Sequence, residues 1–367
     1  MSWPKVKLGD VAPAIPVKNV NLDEDELVWQ LNLDQIESNT GKIVDKVKQP
    51  LSSAGSSTHF FNNEHVLYSK LRPYLNKVVV PDELGIATTE LVPMKPDQKR
   101  LNKEYLAYYL RSKPFVEWVS TQVSGAKMPR VVMSIFWQHE MPLPPLYEQE
   151  RIVSVLDKSN RLRQKREQAI KLADDFLRAT FLEMFGDPIE NPKGWNVKPL
   201  ADQIVHANNG ISRRRKEDTN EGDIVLRLQD VHYSGIAFDK ELNRIKLVDK
   251  EKQIARVEHD DLLFIRVNGN PNYVGRTAVF KSYIEPVYHN DHLIRIKLDN
   301  EYQSDFLCYL INSPFSRKLI AQQIKTSAGQ HTISQDGILK LMFYRPPIEL
   351  QEKFINIKNK IESIFYR

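Results

Sequence analysis

Apolar positions follow two different rhythms along this chain. Through most of it they come in short runs or alternations between Gly, Asn and Pro turns. Segments such as "NKVVVP", "DIVLRL", "DLLFIRV" and "HLIRIKL" predict strands of the mixed α/β kind. Two stretches, Lys103 to Ser112 and Gln303 to Asn312, carry an apolar stripe at helical spacing and stop before Pro114 and Pro314, predicting helices. A longer rhythm follows Pro144 and Pro145. From Gln149 to Phe185 there is neither Gly nor Pro, and Ile152, Val155/Leu156, Leu162, Ala169, Ala173, Phe176/Leu177 and Phe181 recur three and four apart. That is the seam of a long coiled-coil-like helix of roughly 55 Å, interrupted by polar Ser159 and Arg166 and stopped by Gly186 and Pro188. A second, shorter one of about 25 Å runs from Gln351 to Arg367, with Phe354, Ile357, Ile361 and Ile364/Phe365 in register. Neither helix buries its stripe alone, so the two are expected to pack on each other through Ile152, Val155, Leu162, Ala169, Phe176, Phe354, Ile357 and Ile361. The pair is antiparallel if globular parts lie at its two ends.

The same text is written twice. Trp3, Leu8 and Asp10 recur as Trp195, Leu200 and Asp202, 192 residues on (195 − 3). "HVLYSKLRP" from 65 corresponds to "DLLFIRVNG" from 261, "AYYLRSKPF" from 107 to "LCYLINSPF" from 307, and "PPLYEQERI" from 144 to "PPIELQEKF" from 346. The offsets rise in order through 196 (261 − 65) and 200 (307 − 107) to 202 (346 − 144), as duplication with loop insertions produces. The expected architecture is α+β: two tandem mixed α/β domains, 1–145 and 191–345, separated by helical segments 146–190 and 346–367, in a pseudo-two-fold internal repeat.

Composition narrows the function. The chain has 367 residues, 41% hydrophobic and 27% charged, enough for two ordinary cores. Its single cysteine, Cys308 in "FLCYLI", excludes an internal disulfide and a cysteine-based zinc site and reads as core. The N-terminus "MSWPKVKLGD" has no apolar stretch of signal-peptide type and no run spans a bilayer, so a cytoplasmic protein without a membrane partner is expected. A net charge of +5 is compatible with a polyanionic partner. Enzyme motifs are weak. "NGNPNY" at 268 to 273 resembles the Asn-Pro-Pro-aromatic loop of amino-methyltransferases, but Asn272 stands where the second proline belongs and no Gly-rich cofactor loop precedes it, so a turn is expected. "HNDH" at 289 to 292 has a spacing that suits neither one helix face nor one strand face, and no Walker-type loop is present. No catalytic residue and no metal site is expected.

The order of globular part, "PLPPLYEQERIVSVLD" helix, second globular part and related second helix resembles the DNA sequence-specificity subunit of a type I restriction-modification system. "LYSKLRPYLNKV" at 67 to 78 is similar to a segment of that family's target recognition domains. The resemblance implies a non-catalytic subunit whose two recognition domains each read half of a split double-stranded DNA site. It implies helices that space the domains and dock two methyltransferase subunits, to which restriction subunits attach. S-adenosylmethionine, ATP and Mg are then expected in the partners and none in this chain. A rod of about 55 Å against ~34 Å per duplex turn implies half-sites one to one and a half turns apart. One departure is plain: the first helix continues 36 residues past Gln149 (185 − 149), the second 16 past Gln351 (367 − 351).

On that reading, Ser69, Lys70, Arg72, Tyr74, Asn76 and Lys77 interleave cations, amides and aromatics suited to phosphates and base edges. Arg266, Asn268, Asn270, Asn272 and Arg276 hold the corresponding place in the second half, and Arg and Asn are the side chains that bond guanine and adenine bidentately. Arg213, Arg214 and Arg215 form a basic loop, and the matched loops before each Pro-Pro offer Lys127 with Arg130 and Gln330 with His331. Locally satisfied surface charge is the alternative at each position. A free-standing DNA-binding regulator and a fragment of a single-chain methyltransferase are the competing functions.

Overall fold

A computed structural model describes residues 3–212, 221–233 and 235–365. The chain divides into two compact units, Met1–Lys165 and Arg166–Arg367.

Unit 1 is built on two small sheets. In one, Leu27–Leu31 pairs in parallel with Gly85–Thr88 and antiparallel with Lys48–Pro50, while Thr58–Phe61 flanks Gly85–Thr88. In the other, Val66–Ser69 lies between Val78–Val79 and Leu91–Met94. Because side chains alternate along a strand, Val66 and Tyr68 enter a core with Leu106, Leu110, Phe115 and Phe136, while Leu67 enters a second core with Trp29 and Phe61. Helices Lys103–Arg111 and Lys113–Thr121 cover the first of these cores.

Unit 2 repeats this plan. Asp223–Leu226 pairs in parallel with Val287–His289 and antiparallel with Arg244–Ile245, and Leu262–Ile265 lies between Thr277–Val279 and Leu293–Leu298. Leu262 and Phe264 enter the core that also holds Phe306 and Leu310, and Leu263 and Ile265 enter the one that holds Val287. The helix Ser304–Asn312 answers Lys103–Arg111, and each is capped by the residue before it: Asn102 Oδ1 accepts from Tyr105 N at 2.9 Å, Gln303 Oε1 from Phe306 N at 2.7 Å. Each unit is also closed by its own ends. Lys5–Lys7 pairs with Glu140–Pro142, and Asn196–Pro199 pairs with Met342–Arg345.

The long helix runs Leu146–Phe185 and the later one Ile348–Phe365. Both start directly after their Pro-Pro, three residues ahead of the glutamine. The second proline supplies the first carbonyl of the helix: Pro145 O accepts from Gln149 N at 3.1 Å, Pro347 O from Gln351 N at 3.2 Å. The glutamines are fully buried. Gln149 Oε1 accepts from Asn102 N at 2.8 Å, and its Nε2 donates to Arg100 O and Pro144 O, both at 2.8 Å. Gln351 repeats the pattern on Gln303 N at 3.0 Å, Glu301 O at 3.3 Å and Pro346 O at 2.8 Å. One side chain thereby ties the start of the long helix to the start of the capped helix in each unit.

The long helix is shared between the units rather than standing apart from both. In unit 1, Ile152 and Val153 pack on the core and Tyr108 donates to Asp157 at 2.5 Å. In unit 2, Ala173 and Leu177 are buried, and Phe181 and Phe185 meet Phe354 at 5.4 and 5.8 Å. The extended seam is not closed. Val155, Leu162 and Phe176 are 63%, 61% and 56% exposed, and Ala169, Ile357 and Ile361 are half-buried. Among the described residues the predicted stripe is covered at its two ends, at Ile152 in unit 1 and at Ala173, Leu177 and Phe181 in unit 2, and left open between them. Among the described residues no helix is long and apolar enough to cross a membrane.

Candidate nucleic-acid interface

Folding brings the two separate candidate segments of each unit side by side. In unit 1, Leu71 bridges Arg130, Arg72 N donates to Pro129 O at 2.7 Å, and Val131 N donates to Lys70 O at 2.9 Å. The segment around Arg72 therefore runs alongside the Lys127–Arg130 loop. Arg72, in the left-handed region at φ +49°, and Tyr74 are exposed, as is Lys127 on its loop, and Lys70 is half-buried. Arg130 Nε lies 3.0 Å from Glu90 Oε1, so part of its charge is offset within the protein.

Three predicted contact residues have other roles. Ser69 is buried and its hydroxyl donates to Leu71 O at 3.0 Å. Asn76 is buried at φ +52°, with its amide donating to Arg111 O at 3.2 Å, and Lys77 Nζ donates to Leu33 O at 2.6 Å. Their polar ends satisfy backbone carbonyls, Ser69 in its own turn and Asn76 and Lys77 in distant elements, a use of the same residue types that composition does not separate from DNA contact.

Unit 2 builds the corresponding strip as a three-stranded sheet. Val267–Asn268 pairs with Gln330–Thr332, which pairs with Lys325–Ser327. Ile333 N donates to Arg266 O at 2.9 Å, and Arg266 Nη1 to Asp291 O at 3.1 Å. Asn268 thus stands beside His331 as Arg72 stands beside Pro129. The loop that follows is a turn, as expected: Asn268 Oδ1 accepts from Asn270 N at 2.9 Å and Asn270 Oδ1 from Asn272 N at 3.0 Å. Two residues not singled out in the sequence hold this loop. Arg317 donates to Pro271 O and Val274 O at 3.1 and 3.0 Å. Tyr233 and Tyr273 take the Arg276 guanidinium between them, 4.0 and 4.3 Å from the ring centroids. A loop arginine between exposed tyrosines was the available signal, but only the fold joins Tyr233 to the other two. Arg213, Arg214 and Arg215 lie outside the described residues.

Of the two histidines in "HNDH", His289 is part of the core and His292 is exposed. His289 is fully buried, its Nδ1 2.8 Å from Ala255 O, and burial lowers its pKa to about 4. Among the described residues no group of His, Cys, Asp or Glu has the arrangement of a metal site.

In unit 1 the strip presents exposed Arg72, Tyr74 and Lys127 beside half-buried Lys70 and Arg130. In unit 2 it presents exposed Asn270, Asn272, Tyr273, Lys325 and Gln330 beside half-buried Arg266, Asn268 and His331, and these are residue types that can meet phosphates and base edges. Residues 2–172 match the type I restriction modification DNA specificity domain. The chain is 30% identical over 280 residues to the type I restriction enzyme StySPI specificity subunit of Salmonella potsdam, covering 73% of this chain and 59% of that one. It is 22% identical over 282 residues to the EcoKI specificity subunit of Escherichia coli (strain K12), covering 73% and 60%. The chain spans about three-fifths of the length of these relatives. The fold is that of the type I restriction-modification S subunit from M. genitalium, with a TM-score of 0.60 at 16% identity over 100% of this chain and 90% of that one. A chain of a structure describing assembly and conformational transition of the type I R-M system gives 0.55 at 18%, over 100% and 92%. Residues 2–172 thus carry the type I restriction modification DNA specificity domain, and the chain is similar over most of its length to specificity subunits.

Proposed function

We propose that this chain is the DNA-recognition subunit of a type I restriction-modification complex, with no catalytic chemistry of its own. Each unit reads one half of a bipartite double-stranded target. The two helices dock two methyltransferase subunits, and restriction subunits attach through these. S-adenosylmethionine, ATP and Mg belong to the partners. The observation that carries this reading is the duplicated strip: two units of one topology each set a basic or amide-bearing segment against the loop before a Pro-Pro.

Methyl transfer by the full chain, alone and with a co-expressed type I methyltransferase subunit, tests it. The expected result is none alone and sequence-dependent transfer with the partner. Transfer by the chain alone would favour a single-chain methyltransferase. Recovery of the native chain without any methyltransferase subunit would favour a free-standing regulator. Changing Lys70 and Arg72 together to Ala is expected to weaken DNA binding by about tenfold or more while leaving assembly intact, since each phosphate contact adds to the salt-dependent part of affinity.

A further inference from the structure

The three-stranded sheet of unit 2 aligns Asn268 with two polar residues of a later hairpin, Thr326 and His331. Asn268 opposes His331, and His331 opposes Thr326. Directly opposed residues project from the same face of a sheet, so these three form one row, and the next row, Val267, Thr332 and Lys325, faces the other way. The edge strand Lys325–Ser327 and the middle strand Gln330–Thr332 form a hairpin closed by Ala328 and Gly329, at φ +47° and +76°, a two-residue turn whose twist matches that of the strands. Lys325, Thr326, Ser327 and Gln330 are exposed on it. A two-stranded ribbon of this kind fits the major groove.

Within the row, Thr326 Oγ1 lies 2.8 Å from His331 Nδ1. Either group can donate in this contact, which ties the direction of the bond to the tautomer of the ring. With the hydroxyl donating to Nδ1, the imidazole carries its proton on Nε2, a donor suited to the O6 and N7 of guanine or the O4 of thymine, and unsuited to the amino group of cytosine.

We propose that Thr326 is a specificity-determining positioning residue: it acts through His331, whose Nε2–H reads an acceptor on a base edge in the half-site of unit 2. This deepens, and rests on, the DNA-recognition reading above. Unit 1 has no such device, since Pro129 stands beside Arg72 where His331 stands beside Asn268.

The test uses the full chain co-expressed with a type I methyltransferase subunit and a library of duplexes randomised across both half-sites. Thr326→Val removes the hydroxyl and keeps a residue that strands favour. It is expected to relax preference for one acceptor-bearing base in the unit 2 half-site by roughly tenfold, with the unit 1 half-site and binding to non-specific duplex unchanged. His331→Ala is expected to relax the same position, and Thr326→Ser to restore it. A wild-type complex that selects a sequence while Thr326→Val selects it equally well would overturn the proposal alone. Loss of preference in His331→Ala with none in Thr326→Val would also overturn it. A wild-type complex without sequence preference would overturn the recognition reading itself.

Discussion

Units 1 and 2 share their backbone devices and differ in the side chains mounted on them. The glutamine that ties helix to helix, the capped helix start and the parallel strand pair occur in both. Even the left-handed residue after the exposed tyrosine is matched, Asn76 after Tyr74 by Gly275 after Tyr273. The rim of the parallel pair keeps its charge while changing its chemistry: Lys48 meets Glu83 at 2.8 Å, and Arg244 grips Glu285 with two bonds at 2.9 and 2.7 Å. At the strip the two diverge, with Arg72 and Pro129 in one and Asn268 and His331 in the other. A shared scaffold with different exposed groups is what the proposed recognition of two different half-sites would require.

Differences buried inside the units give the largest expected effects. Unit 2 holds Asp261 against Arg295, with Oδ2 2.7 Å from Nε and both side chains buried, where unit 1 has His65 opposite the backbone of Ile15. Burial pushes the Asp261 carboxyl up despite the arginine beside it. Asp261→Ala strands Arg295, so a loss of about 3–5 kcal/mol in chemical denaturation of unit 2 is expected. Phe354→Ala is expected to cost a similar ~3–5 kcal/mol, and its counterpart Ile152→Ala in unit 1 less, because Ile152 is only partly buried.

His289 comes next, with Ala87 at the matching position of unit 1. Its folded pKa of about 4 lies below the ordinary 6.5, so the unfolded chain binds the extra proton. Stability is full above pH 6.5 and falls by about 3 kcal/mol as pH drops from 6.5 towards 4. His289→Gln should flatten that slope in urea titrations across this range. Gln149→Ala and Gln351→Ala each leave a buried N–H and two carbonyls unpaired, and about 2–3 kcal/mol is expected from either. Unequal losses would break the equivalence of the two units. The smallest effect is expected from Leu162→Lys, within about 0.5 kcal/mol for the isolated chain, because that side chain is already in solvent.

Much of this organisation is legible in the residues. Collinear offsets reveal the duplication, and caps, prolines and helical spacing locate Lys103–Arg111 and Ser304–Asn312 to within a residue or two. Periodicity, however, says that a helix face is apolar and not what covers it, which is why Val155, Leu162 and Phe176 were expected to be buried. A polar residue in a first helical turn reads as solvated, so burial of Gln149 and Gln351 has no local signature. Ser69, Asn76 and Lys77 carry the right chemistry for DNA but use it on backbone carbonyls within the unit. Tyr233 and Arg317 acquire partners only through long-range pairing, and Thr326 meets His331 only once the hairpin sets its register.

The pairing of each unit's entry strand with its exit strand has one more consequence. Lys5 lies opposite Pro142 and Asn196 opposite Arg345, so the chain enters and leaves each unit at adjacent points. Such a unit behaves as an insertion cassette. Its interior loops can be reopened as new termini, with the old ends joined by a short linker, and the order of its residues can be circularly permuted while every strand keeps its neighbour.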